Sequence, residues 1–118
     1  VLFRSAGDLG RAVAAIRKNF TIIDDAEITI EVNPDSVTKD FLDEARTWGA
    51  TRISMGMQSA SPHVLAVLDR THNPENVEKS IENARKAGFE NLSLDLIYGT
   101  PGETLAQWED TVKSGGYF

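Results

Sequence analysis

The chain has no cysteine. That excludes disulfides and any reliance on an oxidising compartment, and these residues alone cannot hold an iron–sulfur cluster through thiolates. No apolar run is long enough to cross a membrane, and no charged-then-apolar leader precedes a small-residue cleavage site. Lysine and arginine nowhere cluster. With a net charge of −6 and a pI of about 4.8, nucleic acid and anionic membranes are not expected as main partners. Histidine is scarce: His63 and His72 stand apart, with no third ligand at metal spacing, so solvated or structural roles are expected and no metal site. Ser59, Ser61 and His63 cluster, but no acid is placed to orient the histidine; a nucleophilic triad is not expected, and no catalytic residue is assigned. A cytoplasmic location is the expectation.

What is present suits a folded domain. The 118 residues, 41% hydrophobic and 25% charged, are enough to bury a core. Three segments share one design: Glu27–Val32, Arg52–Gln58 and Asn91–Ile97. Side chains of a strand alternate faces, so Ile28, Ile30 and Val32 fall opposite Thr29 and Glu31. Likewise Ile53, Met55 and Met57 oppose Ser54, Gly56 and Gln58, and Leu92, Leu94 and Leu96 oppose Ser93, Asp95 and Ile97. One face wants helices over it. The other is too small and polar to fill a dry core, and it carries Glu31, Gln58 and Asp95 near the strand ends.

Amphipathic helices are expected between the strands. The first, over Asp8–Asn19, sets Leu9, Val13, Ile16 and then Phe20 at helical spacing. Thr38 caps a second, with Phe41, Leu42, Ala45 and Trp48 on one stripe and a stop at Gly49. Ser61-Pro62 and Asn73-Pro74 each read as an N-cap followed by the first helical residue; the helix after Asn73 closes at Gly88. Thr104 and Gln107 form a capping box for a last helix carrying Leu105, Trp108 and Val112. A repeat binds these pieces: residues 44–55 match residues 83–94, with alanine, arginine, glycine and serine in the same places. Each copy is a helix end, a glycine stop, a short turn and a strand, as in stacked units of a parallel sheet.

The fold class expected is therefore α/β, with parallel β/α units forming part of a partial barrel. A complete eight-unit barrel needs about 250 residues. A small doubly wound sheet would be apolar on both faces, which Thr29, Glu31, Ser54, Gln58, Ser93 and Asp95 contradict.

In barrel enzymes, ligand groups sit at the carboxyl ends of strands. Glu31, Gln58 and Asp95 occupy such places; the competing reading for each is a satisfied buried polar group. Together, two carboxylates and an amide suit a ligand rich in hydroxyl and amino groups. Arg70, in a loop that can reach the same rim, is a natural fork for a ligand carboxylate or else a surface partner of Asp69 or Glu75. Tyr98-Gly-Thr-Pro-Gly102 either brings backbone close to a ligand or is a plain tight turn; its spacing is not that of a phosphate loop.

Glu31-Val-Asn-Pro34, Ser54-Met-Gly-Met-Gln-Ser59, Leu68-Asp-Arg-Thr-His72 and Asp95-Leu-Ile-Tyr-Gly-Thr-Pro-Gly102 together resemble the radical S-adenosylmethionine (SAM) family. Within it they resemble the oxygen-independent coproporphyrinogen III oxidase group, and there the HemW-like heme chaperone branch. The resemblance runs over Leu9–Val112. It implies a partial (β/α)6 TIM-like barrel that binds SAM on a 4Fe–4S cluster and cleaves it reductively to a 5′-deoxyadenosyl radical. By motif, it implies that Glu31 is the strand-end acid of the SAM site, Gln58 and Asp95 the ribose contacts, Arg70 the clamp on the methionine carboxylate, and Ile97 a neighbour of the adenine. Heme, or a protein that accepts heme, is the further partner implied.

The family's CxxxCxxC motif and a glycine-rich strand end belong upstream, and neither is present. Residues 1–118 are therefore expected to be a central fragment of a radical SAM domain, unable by itself to cleave SAM. Two alternatives stand beside the heme chaperone: a coproporphyrinogen III oxidase fragment, and a non-catalytic α/β module binding a small polar metabolite.

Overall fold

The computed structural model describes residues 5–70 and 73–116. Its elements, in chain order, are α1 (Ala6–Asn19), β1 (Thr29–Val32), α2 (Lys39–Thr47), β2 (Arg52–Gln58), α3 (Pro62–Val67), α4 (Pro74–Lys86), β3 (Asn91–Leu96) and α5 (Leu105–Gly116). The three strands form one parallel sheet in the order β1-β2-β3. Helices follow strands throughout, so the chain is α/β, as expected.

The strand alternation is realised in the burial. Ile30, Ile53, Met55 and Met57 are buried under α2 and α4, whose Leu42, Ala45, Val77, Ile81 and Ala84 complete the core with Phe89. Burying such side chains stabilises by roughly 1.5–3 kcal/mol each for the larger ones. Central strand β2 is covered along its whole apolar row, in the pattern expected of an inner strand.

The helix starts follow their caps. Thr38 Oγ1 accepts from Phe41 N, and Asn73 Oδ1 accepts from Glu75 N. Thr104 and Gln107 exchange bonds as a capping box. Helix α1 begins before Asp8, at Ala6, because Ser5 and Asp8 make a second capping box. Ser61 precedes α3 without a side-chain capping bond.

The two repeat copies share one device. Gly49 and Gly88 both have positive φ, at 103° and 89°, where a side chain would be strained. Ala50 N bonds to Ala45 O, and Phe89 N bonds to Ala84 O, so each turn folds back on its helix. Arg46 donates to Ala50 O, and Arg85 donates to Phe89 O and Glu90 O. The arginines also reach across: Arg17 of α1 lies beside Gly49, and the Arg46 guanidinium lies 5.2 Å from the Phe89 ring centroid.

Two expected stripes stay partly uncovered. On α1 and its C-cap, Ile16 and Phe20 are exposed, because the helix packs chiefly on α2. On α5, Leu105 and Val112 are exposed while Thr111 is the buried residue. The row Leu92, Leu94 and Leu96 is in consequence half covered, and with Ile81, Arg85, Val112 and Gly115 it lines an apolar groove of about 210 Å³.

Candidate functional site

The opposite face of the sheet carries an open hollow of about 300 Å³. Its walls come from all three strand ends: Glu31, Val32 and Asn33 from β1 and its loop, Ser54, Gly56 and Gln58 from β2, and Asp95 from β3. Arg70 closes the rim from the loop after α3. The volume is at the small end of the roughly 300–1,000 Å³ of ligand sites.

Register explains why these groups meet. Glu31 pairs with Ser54, Ser54 with Ser93, and Gly56 with Asp95. Ser54 Oγ therefore donates diagonally to Asp95 Oδ2 at 2.7 Å, which fixes the carboxylate and leaves its other oxygen without a bond to Ser54. A bulge between Gly56 and Gln58 follows, with Gln58 at φ 67°. A Cβ at Gly56 would lie 2.6 Å from Gln58 Nε2, so the glycine leaves the space in which the carboxamide lies.

The β1 rim is held from outside. Asn33 Oδ1 accepts from Asp35 N, Ser80 Oγ of α4 donates to Pro34 O at 2.9 Å, and Asn76 Nδ2 donates to Asp35 Oδ1 at 3.0 Å. The Arg70 backbone is placed by its N–H bond to Leu65 O and by Asp69, whose φ is 52°.

Four of the five residues singled out in the sequence, Glu31, Gln58, Arg70 and Asp95, thus surround one hollow. Ile97 lies outside its lining, with its N–H bonded to Gln58 O at 2.9 Å. Thr71 and His72 of the Arg70 motif fall outside the described residues. The Tyr98–Gly102 loop behaves as a turn closed on itself: the Glu103 carboxylate accepts from Gly99 N at 2.7 Å and Thr100 N at 3.2 Å, occupying those two amides. Ser59 is buried and bonded to Thr111, which removes it from nucleophilic work.

The donor set suits a small ligand with hydroxyl, ammonium and carboxylate groups: acids and an amide on the sheet, a guanidinium at the rim. The Ser93 hydroxyl, buried on the same face, has no hydrogen-bond partner among the described residues, so the polar demand here is not met internally. For a 4Fe–4S cluster the fit fails. The chain has no thiolate to offer, and no group of metal-binding side chains converges among the described residues.

A family model described as the Radical SAM superfamily matches residues 4–115. The heme chaperone HemW of Mycobacterium tuberculosis (strain ATCC 25618 / H37Rv) is 46% identical over 99 residues, covering 84% of this chain and 25% of that protein. The oxygen-independent coproporphyrinogen III oxidase of Escherichia coli (strain K12) is 34% identical over 111 residues, covering 94% and 24%. The solved structure of coproporphyrinogen III oxidase (HemN) from Escherichia coli, a radical SAM enzyme, superposes with a TM-score of 0.84 at 34% identity, over 93% of this chain and 25% of its own. The chain spans about a quarter of the length of the curated relatives it matches.

Proposed function

The chain belongs to the Radical SAM superfamily, and from that premise we propose that it is the central part of a longer, HemW-like heme chaperone whose SAM site includes the hollow on the sheet. In this reading Gln58 and Asp95 hold the ribose hydroxyls, Arg70 holds the methionine carboxylate, and Glu31 serves as the strand-end acid near the ammonium. Ile97 would border the adenine from beyond the polar lining. The observation that carries the proposal is the convergence of an amide, two acids and an arginine on one side of a parallel sheet, at its strand ends.

SAM would supply one-electron cleavage chemistry when held beside a 4Fe–4S cluster. The residues of this chain bind and orient: Ser54 fixes Asp95, and Gly56 gives Gln58 its place. Cluster thiolates would come from outside this chain. The oxidase reading stands beside the heme chaperone reading, because identities run from 34% to 46% among the heme chaperones and from 34% to 36% among the oxidases. Heme, or a protein accepting it, is the partner that the heme chaperone reading implies. Among the described residues no helix is long and apolar enough to cross a membrane; a cytoplasmic place is part of the heme chaperone reading.

The test is SAM binding by the full-length protein, reconstituted anaerobically with iron and sulfide. Asp95→Ala and Gln58→Ala should each weaken binding by about 1–3 kcal/mol, the usual loss when a hydrogen-bonding partner of a bound ligand is removed. Wild-type protein with neither a cluster absorption band nor SAM affinity would refute the assignment.

A further inference from the structure

Helix α5 lines no part of the hollow, yet it is tied to the two residues that follow Gln58, which does. Thr111 is fully buried, and its Oγ1 donates to Gln107 O at 3.0 Å. A hydroxyl has one proton, so the same oxygen must accept the other two bonds, from Ala60 N and from Ser59 Oγ, both at 3.1 Å. Ser59 Oγ in turn accepts from Ser61 N at 3.0 Å. The knot is closed: each of its hydrogens has one acceptor.

What it holds is a turn of high energy. Ser59 N bonds to Met57 O at 2.9 Å across Gln58, whose φ is 67°. A γ-turn centred on a non-glycine residue with positive φ is rare and strained, and persists only where its surroundings fix it. Ile97 N holds the Gln58 carbonyl from one side, and Thr111 holds the next two residues from the other. With that backbone, the carboxamide folds over Gly56 into the hollow.

We propose that Thr111 is a positioning residue of the ligand site, acting through Ser59 and Ala60 to keep Gln58 in its strained turn and so to aim its carboxamide at the ligand. This rests on the SAM reading given above for the identity of the ligand, and on the knot alone for the aim of Gln58.

The test uses the full-length protein with Thr111→Val, Thr111→Ser and Gln58→Ala, and two readouts. The first is the NMR signal of the Gln58 side-chain amide without ligand, identified by its loss in Gln58→Ala. The second is the dissociation constant for SAM. Thr111→Val should shift the signal and weaken binding about tenfold. Thr111→Ser, which keeps the hydroxyl, should restore both, and Thr111→Val added to Gln58→Ala should cost no further affinity. An unmoved Gln58 signal, or the same loss of affinity in the Gln58→Ala background, overturns the proposal. Wild type that does not bind SAM ends the ligand reading, and the Gln58 signal then decides the positioning role. Should Thr111→Val fail to fold, Ser59→Ala removes the two bonds of the knot made by Ser59 Oγ, to Thr111 and from Ser61 N, and is read the same way.

Discussion

Gly56 is the residue whose smallness matters most to the hollow, because what fills its missing side chain is Gln58 Nε2. That atom is the far end of a flexible side chain, so a methyl group at Gly56 would displace the amide and leave the backbone in place. Gly56→Ala should therefore change stability by less than about 1 kcal/mol in urea unfolding, while SAM affinity of the full-length protein falls. Unchanged affinity would count against Gln58 as a ligand contact. At this scale the alternation of side chains made Glu31, Gln58 and Asp95 legible in the sequence. Ser54 was legible only as a residue of the same face. The repeat aligns Ser54 with Ser93, as the β2–β3 register does, but no pattern in the sequence marks the diagonal bond to Asp95. The turn at Gln58 was likewise hidden, since its stabilising partner, Thr111, is 52 residues away in sequence from Ser59.

Among elements, starts and stops were more legible than faces. Caps are decided by residues within one turn of each other, and Thr38, Asn73 and Thr104 act as their spacing predicts. Which side of α1 and α5 would be covered depended on packing partners, and there the stripes misled. The start of β2 shows how electrostatics supports an element. Glu27 accepts from Thr29 Oγ1 and pairs with Arg52, and these bonds, the threonine's first, hold its carboxyl below the usual 4.5. A lowered folded value means that this contribution is complete above the ordinary carboxylate pKa and is lost as pH falls through the folded one. The effect is small, as Glu27 is solvent-exposed. Glu27→Gln should flatten the fall in the urea midpoint just below pH 4.5 and leave the neutral-to-mildly-acidic dependence unaltered; equal slopes in both proteins would exclude the pair as a contributor.

The whole molecule is open. Its radius of gyration is 16.0 Å against about 13.5 Å for a compact domain of this length. It exposes 7700 Å² where a folded monomer of 12.9 kDa exposes about 6,300 Å². The excess matches what the fold leaves bare: the polar hollow, the half-covered leucine row, and the outer sides of β1 and β3, which are unpaired among the described residues. Unpaired strand edges beside apolar rows invite pairing with other chains. The isolated chain should accordingly self-associate, seen as a weight-average mass that rises with concentration in sedimentation equilibrium; a constant monomer mass would show that these surfaces are not adhesive. The parallel, one-sided architecture was legible from the polar second face, but how far each helix would spread over the sheet was not, because that is settled by depth of packing.

The arginines set along the helices carry a consequence for growth. Arg17 reaches toward the turn of the next unit at Gly49, and Arg46 toward the one after it at Phe89. Arg85 stands third in that succession: it borders the leucine groove, and its guanidinium is bonded to Phe89 O and Glu90 O. A neighbour laid beside β3 would meet the same handhold its predecessors met, so the row can lengthen by repetition, like bricks laid in a course, with no new kind of joint.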